Sequence, residues 1–216
     1  MKINEYIEIT NEDNMELMKR FPDNYFDLAI VDPPYGINMD GGNVGYKGFN
    51  NFEKKEWDKE IPNKEYFTEL FRVSKNQVVF GGNYFSLPPT RCYFIWDKGE
   101  GFYNRTYAEA ELAWTSFDKN TIIFKYDPLA KGDYKGKIHP TQKPVSVYSK
   151  IIKKFTENGF KILDTHAGSA NIAIAIDNAN KMDKMNLTLI ACELDTDYFK
   201  SSTKNVIAKT NWICTF

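Results

Sequence analysis

Short apolar runs alternate with helix-spaced stretches along most of this 216-residue chain, and that rhythm restricts the fold more than any other feature. Strand-like runs fall at residues 6–10, 26–31, 77–80, 91–96, 111–116, 160–163 and 187–192, several of them closed by a polar or acidic residue. Between many of these, residues 14–20, 64–74, 145–158, 170–179 and 196–209 carry apolar side chains at helical spacing. Strand, helix and strand repeated in this way specify βαβ units, hence an α/β fold with a mostly parallel sheet and helices on both faces. The rhythm fails from 91 to 125, where strand-like runs are separated only by loops, which predicts an antiparallel hairpin at one edge of the sheet. The length suffices to bury one real core, so a single domain over 1–216 is the economical reading.

Two loops stand out, residues 36–62 with Gly41, Gly42, Gly45 and Gly48, and residues 118–138 with Gly132 and Gly136. Loops of that length are usually functional or mobile. The 28 Lys and Arg against 29 Asp and Glu leave almost no net charge, so affinity for nucleic acid has to come from a local patch. One candidate lies between Phe117 and Lys154, where nine lysines and three aspartates are interleaved with Phe124, Tyr126, Tyr134 and Tyr148; the competing reading is a solvated loop and helix face. Cys92, Cys192 and Cys214 are odd in number and form no CxxC pair, which argues against a disulfide framework or zinc site and for a reducing cytoplasm. His139 and His166 show no metal-ligand spacing, so no metal is expected. No apolar run approaches the roughly 18 residues that span a bilayer, and the first residues lack the apolar core of a signal peptide, so a soluble protein with no membrane partner is expected.

Three segments carry chemistry. Asp32-Pro33-Pro34-Tyr35-Gly36 follows the run Leu28-Ala29-Ile30-Val31, which places it at the carboxyl end of a strand, where open α/β sheets bind ligands. An amino group on an aromatic base is a poor nucleophile, because its lone pair is delocalised, and an enzyme that uses it must hold acceptors against its two hydrogens. Asp32 and a backbone carbonyl can do so, since the Pro33-Pro34 pair stiffens the turn and leaves the Pro33 carbonyl free to face a ligand. Tyr35 supplies a ring for stacking, worth roughly 1–3 kcal/mol per base. Alone, the tetrapeptide is equally readable as a strand-ending turn with a surface tyrosine. Far downstream, Lys161-Ile162-Leu163-Asp164-Thr165-His166-Ala167-Gly168-Ser169-Ala170-Asn171 is a strand running into a small-residue turn and a helix, a turn suited to cradling a nucleotide although it lacks the full GxGxxG pattern. Glu193 closes the next strand, where an acid commonly accepts from ribose hydroxyls. Between the two lies His139-Pro140-Thr141-Gln142-Lys143-Pro144, which on its own reads equally well as a helix cap with Lys143 in solvent.

Taken in this order, the three segments resemble the beta class of amino-methylating DNA methyltransferases, found in restriction-modification systems and phages, in which the catalytic half precedes the cofactor half as if the fold were circularly permuted. The resemblance runs from about Ile9 to Phe199 and includes Phe80-Gly81-Gly82-Asn83-Tyr84-Phe85, Trp96-Asp97-Lys98 and Ala110-Glu111-Leu112-Ala113-Trp114, which look like phage-type members. It implies a Rossmann-like fold, S-adenosylmethionine as cofactor, and transfer of its methyl group to adenine N6 of a base flipped from double-stranded DNA. It implies Asp32, Pro33, Pro34 and Tyr35 as catalytic residues. A cofactor site follows from Asp13, Asp32, His139, Thr141, Lys143, Asp164, Thr165, His166, Ala167, Gly168, Ser169 and Glu193, with Lys143 approaching the methionine carboxylate, Glu193 on the ribose and Asp13 near the adenine. The sequence departs from the pattern where Glu12 replaces a glycine, where Thr165-His166 stand for Pro-Phe, and where Ala170-Asn171 stand for Gly-Thr. Asp rather than Ser in the first motif position favours adenine over cytosine N4. The short stretch 118–138 lies where the class carries its target-recognition insert. A homodimer, a cognate restriction nuclease and a cytoplasmic home in a bacterial or phage-infected cell go with the resemblance; RNA or protein-glutamine methylation and a catalytically silent DNA-binding subunit are the competing functions.

Overall fold

The computed structural model describes residues 1–42 and 52–210. Gly45 and Gly48 of the predicted 36–62 loop, and Cys214, lie outside the described residues. Eight strands, β1 (Ile7–Thr10), β2 (Leu28–Val31), β3 (Gln77–Phe80), β4 (Tyr93–Asp97), β5 (Ala110–Thr115), β6 (Ile122–Lys125), β7 (Lys161–Asp164) and β8 (Thr188–Cys192), form one sheet in the order β1-β8-β7-β2-β3-β5-β4-β6. The five strands from β1 to β3 in that order pair in parallel; β5 is antiparallel to both its neighbours, and β6 runs parallel to β4. Among the described residues five helices accompany them, the last following β8: α1 (Asn14–Lys19), α2 (Lys64–Val73), α3 (Val145–Phe155), α4 (Asn171–Asp183) and α5 (Thr196–Thr210).

Central strand β2 shows why the sheet is covered twice. All four of its residues are buried, with Leu28 and Ile30 packed in a cluster that includes α3, α4 and α5, and Ala29 and Val31 in one that includes α1 and α2. Period-two alternation on a strand whose every residue is apolar demands a helix layer on each face. Burying a side chain such as Leu28 or Ile30 contributes about 1.5–3 kcal/mol. Because β7 leads through α4 to β8 in one direction and β2 through α2 to β3 in the other, the strand order reverses between β7 and β2. That reversal opens a crevice at the strands' carboxyl ends.

Two sequence expectations shift. The antiparallel β4–β5 pair lies toward one end of the sheet as predicted, but β6 forms the edge outside it, so residues 118–138 are not loop throughout. Ile122, Ile123 and Phe124 favour a strand, and their alternating half-exposure is that of an edge. Helix α3 stops at Phe155, three residues before the predicted end, because Thr156 is extended and Gly159 turns the chain at φ +81°. Among the described residues no helix is long and apolar enough to cross a membrane.

Candidate active site

Five strand ends in the crevice deliver an ionisable side chain. Asp32 follows β2, Asp164 ends β7 and Glu193 follows β8; Lys98 follows β4, and Glu111 sits at the start of β5, which reaches the same edge because that strand runs backwards. The turn after β2 is pinned from below by Asp58, a buried carboxylate that accepts from the amides of Tyr35 at 2.6 Å, Gly36 at 2.9 Å and Met39 at 2.7 Å. Three amides on one carboxylate fix the backbone that presents Pro33, Pro34 and Tyr35.

Asp32 is the hub. Its Oδ1 accepts from the Tyr35 hydroxyl at 2.6 Å and its Oδ2 from the Lys143 ammonium. Lys143 Nζ also lies 3.2 Å from Glu111 Oε2, without hydrogen-bond geometry, and Glu111 Oε1 pairs with Lys98 at 2.8 Å. Two carboxylates and two ammonium groups thus alternate along one buried chain. Burial pushes the Asp32 carboxyl up while the Lys143 ammonium pulls against it. At Glu111 burial also pushes up, but the Lys143 and Lys98 charges outweigh it and bring the carboxyl down to about 2. Lys143 itself is almost fully buried, which opposes its charge, yet the carboxylates of Asp32 and Glu111 raise it. The Tyr35 ring stacks on Tyr84, centroids 5.0 Å apart and planes 13° from parallel. Gly81, at φ +69°, leaves the room for that ring: a Cβ there would land inside it.

Two cavities open from this hub. One, of about 470 Å³, is lined by Asp32, Pro33, Pro34, Tyr35 and Tyr84 on the inside and by Phe102, Arg105, Tyr107, Leu129, Tyr134 and Lys137 on the outside. Its outer wall joins loop 98–109 to loop 126–138 through Asp127, which accepts from the amides of Gly101 at 2.8 Å and Leu129 at 2.9 Å. The other, of about 600 Å³, is lined by Asp13, His139, Thr165, His166, Ala167, Gly168, Ser169 and Glu193. Asp32, Pro34, Trp57, Thr141 and Lys143 line both. Both volumes fall in the range of ordinary ligand sites, and a flat ring in the first would meet a ligand of the second at Asp32 and Pro34.

The second cavity suits a nucleoside-containing ligand. Gly168, at φ +51°, brings bare backbone to the wall, and its amide donates to Glu193 Oε2 at 2.7 Å while Glu193 Oε1 accepts from Asp195 at 2.9 Å. Each carboxylate oxygen retains a lone pair for a further donor. The buried Asn171 side chain donates to the Lys143 carbonyl at 2.7 Å and has its own Oδ1 unpartnered. Burial keeps three groups at or beneath this cavity neutral: the Asp164 carboxyl rises to about 8, and His166 and His139 fall to about 4 and about 3.

Of the sequence-predicted residues, Asp164 alone does not line a cavity; it lies beneath the turn, accepting from the His166 amide at 3.0 Å. Asp13 reaches the rim but also caps α1, its Oδ1 taking the amides of Met15 at 2.8 Å and Glu16 at 3.4 Å. Pro144 is the N-cap of α3, as the competing reading allows, but Lys143 is not in solvent: its ammonium points inward. The substituted turn is internally satisfied, with His166 Nε2 against the Asn14 amide nitrogen at 3.1 Å and Nδ1 against Thr165 Oγ1 at 2.9 Å, and Thr165 bonded to the Tyr66 hydroxyl at 2.7 Å. Asp58, Trp57, Tyr66, Tyr84 and Lys98 escape sequence reasoning as site residues. Glu111 and Lys98 sit in stretches that resemble phage-type methyltransferases, the one signal pointing to them.

Solved structures share this architecture. The M1.HpyAVI–SAM complex matches at a TM-score of 0.58 and 18% identity over 92% of this chain and 99% of that one. PvuII DNA methyltransferase, described as cytosine-N4-specific, matches at 0.56 and 15% over 99% and 89%. The fold is therefore that of the DNA methyltransferases. Type II methyltransferase M2.MboI of Moraxella bovis is 26% identical over 209 residues, 74% of this chain and 75% of that protein. The DNA methylase family model for N6 and N4 methyltransferases matches residues 83–204, more than half of the chain, and the chain belongs to that family. That match takes in Glu111, Lys143 and the Gly168 turn, and the Asp32 turn precedes it.

Proposed function

We propose that the chain methylates N6 of adenine in double-stranded DNA, using S-adenosylmethionine, as one domain. The observation that carries the reading is the meeting of the two cavities at Asp32, Pro34, Trp57, Thr141 and Lys143. A base in a duplex cannot reach a crevice of this kind, so the target is flipped into the smaller cavity at a cost of a few kcal/mol. There Tyr35 stacks on the ring, and Asp32 with the Pro33 carbonyl accept the two amino hydrogens and draw the nitrogen toward a pyramidal, nucleophilic form. The Asp32 carboxylate takes the proton that the nitrogen loses as it gains the methyl. In the larger cavity Glu193 holds ribose hydroxyls, and Gly168, Thr165 and Asp13 bound the rest of the nucleoside. S-adenosylmethionine supplies an electrophilic methyl on a sulfonium, so transfer needs no covalent enzyme intermediate. Positioning and preorganised charge supply the acceleration.

The name of M1.HpyAVI–SAM supports the cofactor, and Asp32 in the first motif position supports adenine. Cytosine N4 is the second reading, favoured by the likeness to PvuII DNA methyltransferase. The satisfied hydrogen bonds around His166 and the intact Asp32–Tyr35 pair speak against a silent subunit. Labelled methyl transfer to unmethylated genomic DNA, with RNA and bulk protein in competition, followed by nucleoside analysis, tests all of these. N6-methyladenine is expected; N4-methylcytosine would overturn the base assignment, and no label in DNA would overturn the function. A second copy of the chain and a cognate nuclease remain part of the same proposal, read by sedimentation and by cleavage of unmethylated DNA beside the gene's product.

A further inference from the structure

Both Asp32 oxygens carry a donor before any substrate arrives. The Tyr35 hydroxyl holds one and the Lys143 ammonium the other, so an amino group approaching Oδ2 must share it with a buried cation that draws off its negative charge. Moving a buried ammonium off its partner is prohibitive unless another acceptor stands ready. One does. Glu111 Oε2 is buried and already forms an ion pair with Lys143 Nζ at 3.2 Å, but it takes no well-aligned hydrogen bond among the described residues. A buried charged oxygen gains from an aligned donor, so a small shift of the ammonium onto Glu111 is favourable there.

Glu111 is itself anchored. Its other oxygen pairs with Lys98 at 2.8 Å, and that ammonium lies 5.4 Å from the ring centres of both Trp96 and Phe102. Its backbone is registered opposite Trp96 in the β4–β5 pair. The carboxylate therefore stays put, and the flexible Lys143 side chain is the part that moves. We propose that Glu111 is a positioning residue that takes over the Lys143 ammonium from Asp32 when the substrate amino group arrives, freeing Asp32 Oδ2 to accept an amino hydrogen while no buried charge is left alone. This rests on the function proposed above.

Glu111→Gln keeps the shape and a carbonyl for Lys98 but removes the charged landing site. In single-turnover methylation of unmethylated genomic DNA the variant should be slower by about 10- to 100-fold, the range for losing one charge-assisted hydrogen bond, with KM for DNA and calorimetric affinity for S-adenosylmethionine within about twofold. The pH profile separates this role from a merely structural one. The charged or titratable groups facing the ammonium are Asp32 and Tyr35 after β2, Glu111 on β5, Lys98 after β4, His139, Asp164 at the end of β7, which burial raises to about 8, and Lys137, which burial lowers to about 8. Loss of the Glu111 charge lowers Lys137 further from about 8, whereas Lys143 is held above its ordinary value by Asp32, so a climb well above pH 8 reads Lys143. In the variant the rate should climb at alkaline pH, where loss of the Lys143 proton frees Asp32, and approach the wild-type rate. Glu111→Asp, which keeps the charge but withdraws it by one methylene, should be slowed less and show no such climb; it serves alone if the glutamine variant does not fold. A wild-type rate and profile in Glu111→Gln, or in Glu111→Asp when that variant serves alone, would overturn the inference and leave the function standing. A wild-type protein that labels no DNA would overturn both.

Discussion

On the Asp32 side of Pro34 the buried charges are kept and paired, whereas on the Gly168 side the buried titratable groups are driven neutral. Asp32, Lys143, Glu111 and Lys98 alternate in sign along one chain of contacts. Among the described residues Asp164, His166 and His139 have no ion partner, and burial moves the acid up to about 8 and the imidazoles down to about 4 and about 3. Under the proposed function, the difference divides the work between the two cavities. A cavity that must steady a nitrogen changing its charge needs charges already in place, since these cost no reorganisation at the moment of reaction. A cavity that only binds does better with neutral hydrogen-bonding groups, because every fixed charge would have to be desolvated again with the ligand.

The contrast breaks most directly at Asp32. Asp32→Ala should cost at least about 10²–10³ in single-turnover rate, the size of losing one preorganised group, while calorimetry finds cofactor affinity nearly unchanged. Equal loss of both would show that the two cavities are one functional unit. Glu193→Ala should do the reverse: cofactor affinity weaker by about 10- to 100-fold, with the rate at saturating cofactor largely kept. Smaller effects appear in stability against pH. Asp164 holds its proton to about pH 8 when folded but releases it near 3.8 when unfolded, so its contribution is lost as pH rises through that window. The melting temperature of Asp164→Asn relative to wild type should therefore increase steadily from about pH 4 to pH 8. For His166, about 4 folded against 6.5 unfolded, the sign reverses, and His166→Asn should gain on wild type as pH falls from 6.5 toward 4. An absence of both trends would remove the neutral half of the comparison. Smallest of all, Ala170 caps α4 at φ +53°, ψ +28°, a left-handed position, and Ala170→Gly should raise the melting temperature by a few degrees, about 1 kcal/mol.

Most of the fold was legible because apolar periodicity reports burial directly. Gln77–Phe80 matches residue for residue, and the other predicted strands are displaced by only one or two residues at either end. Edge strand β6 escaped because a half-exposed run of four, Ile122–Lys125, carries little pattern. In the site, residues next to one another in sequence were readable: the turn after Asp32, the Gly168 turn, and Glu193. Residues assembled by the sheet were not. Asp58 acts on Tyr35, Gly36 and Met39 from about twenty residues away, and nothing local to Trp57-Asp58-Lys59 announces it. Lys143 was found but its direction was not, since only packing shows that its ammonium meets Asp32. Glu111 was quoted within a familiar stretch without a role, because its role depends on the register between β4 and β5.

That reversed strand also separates what can vary from what cannot. Side chains at the ends of forward strands are followed by loops, so a change in the loop tugs on the residue. Glu111 instead enters the crevice at the beginning of β5, clamped into the ladder opposite Trp96, with loop 98–109 arriving from outside. Residues 103–109 of that loop can be lengthened, shortened or exchanged as a graft, and the carboxylate keeps its station so long as Lys98 and Phe102 stay in place.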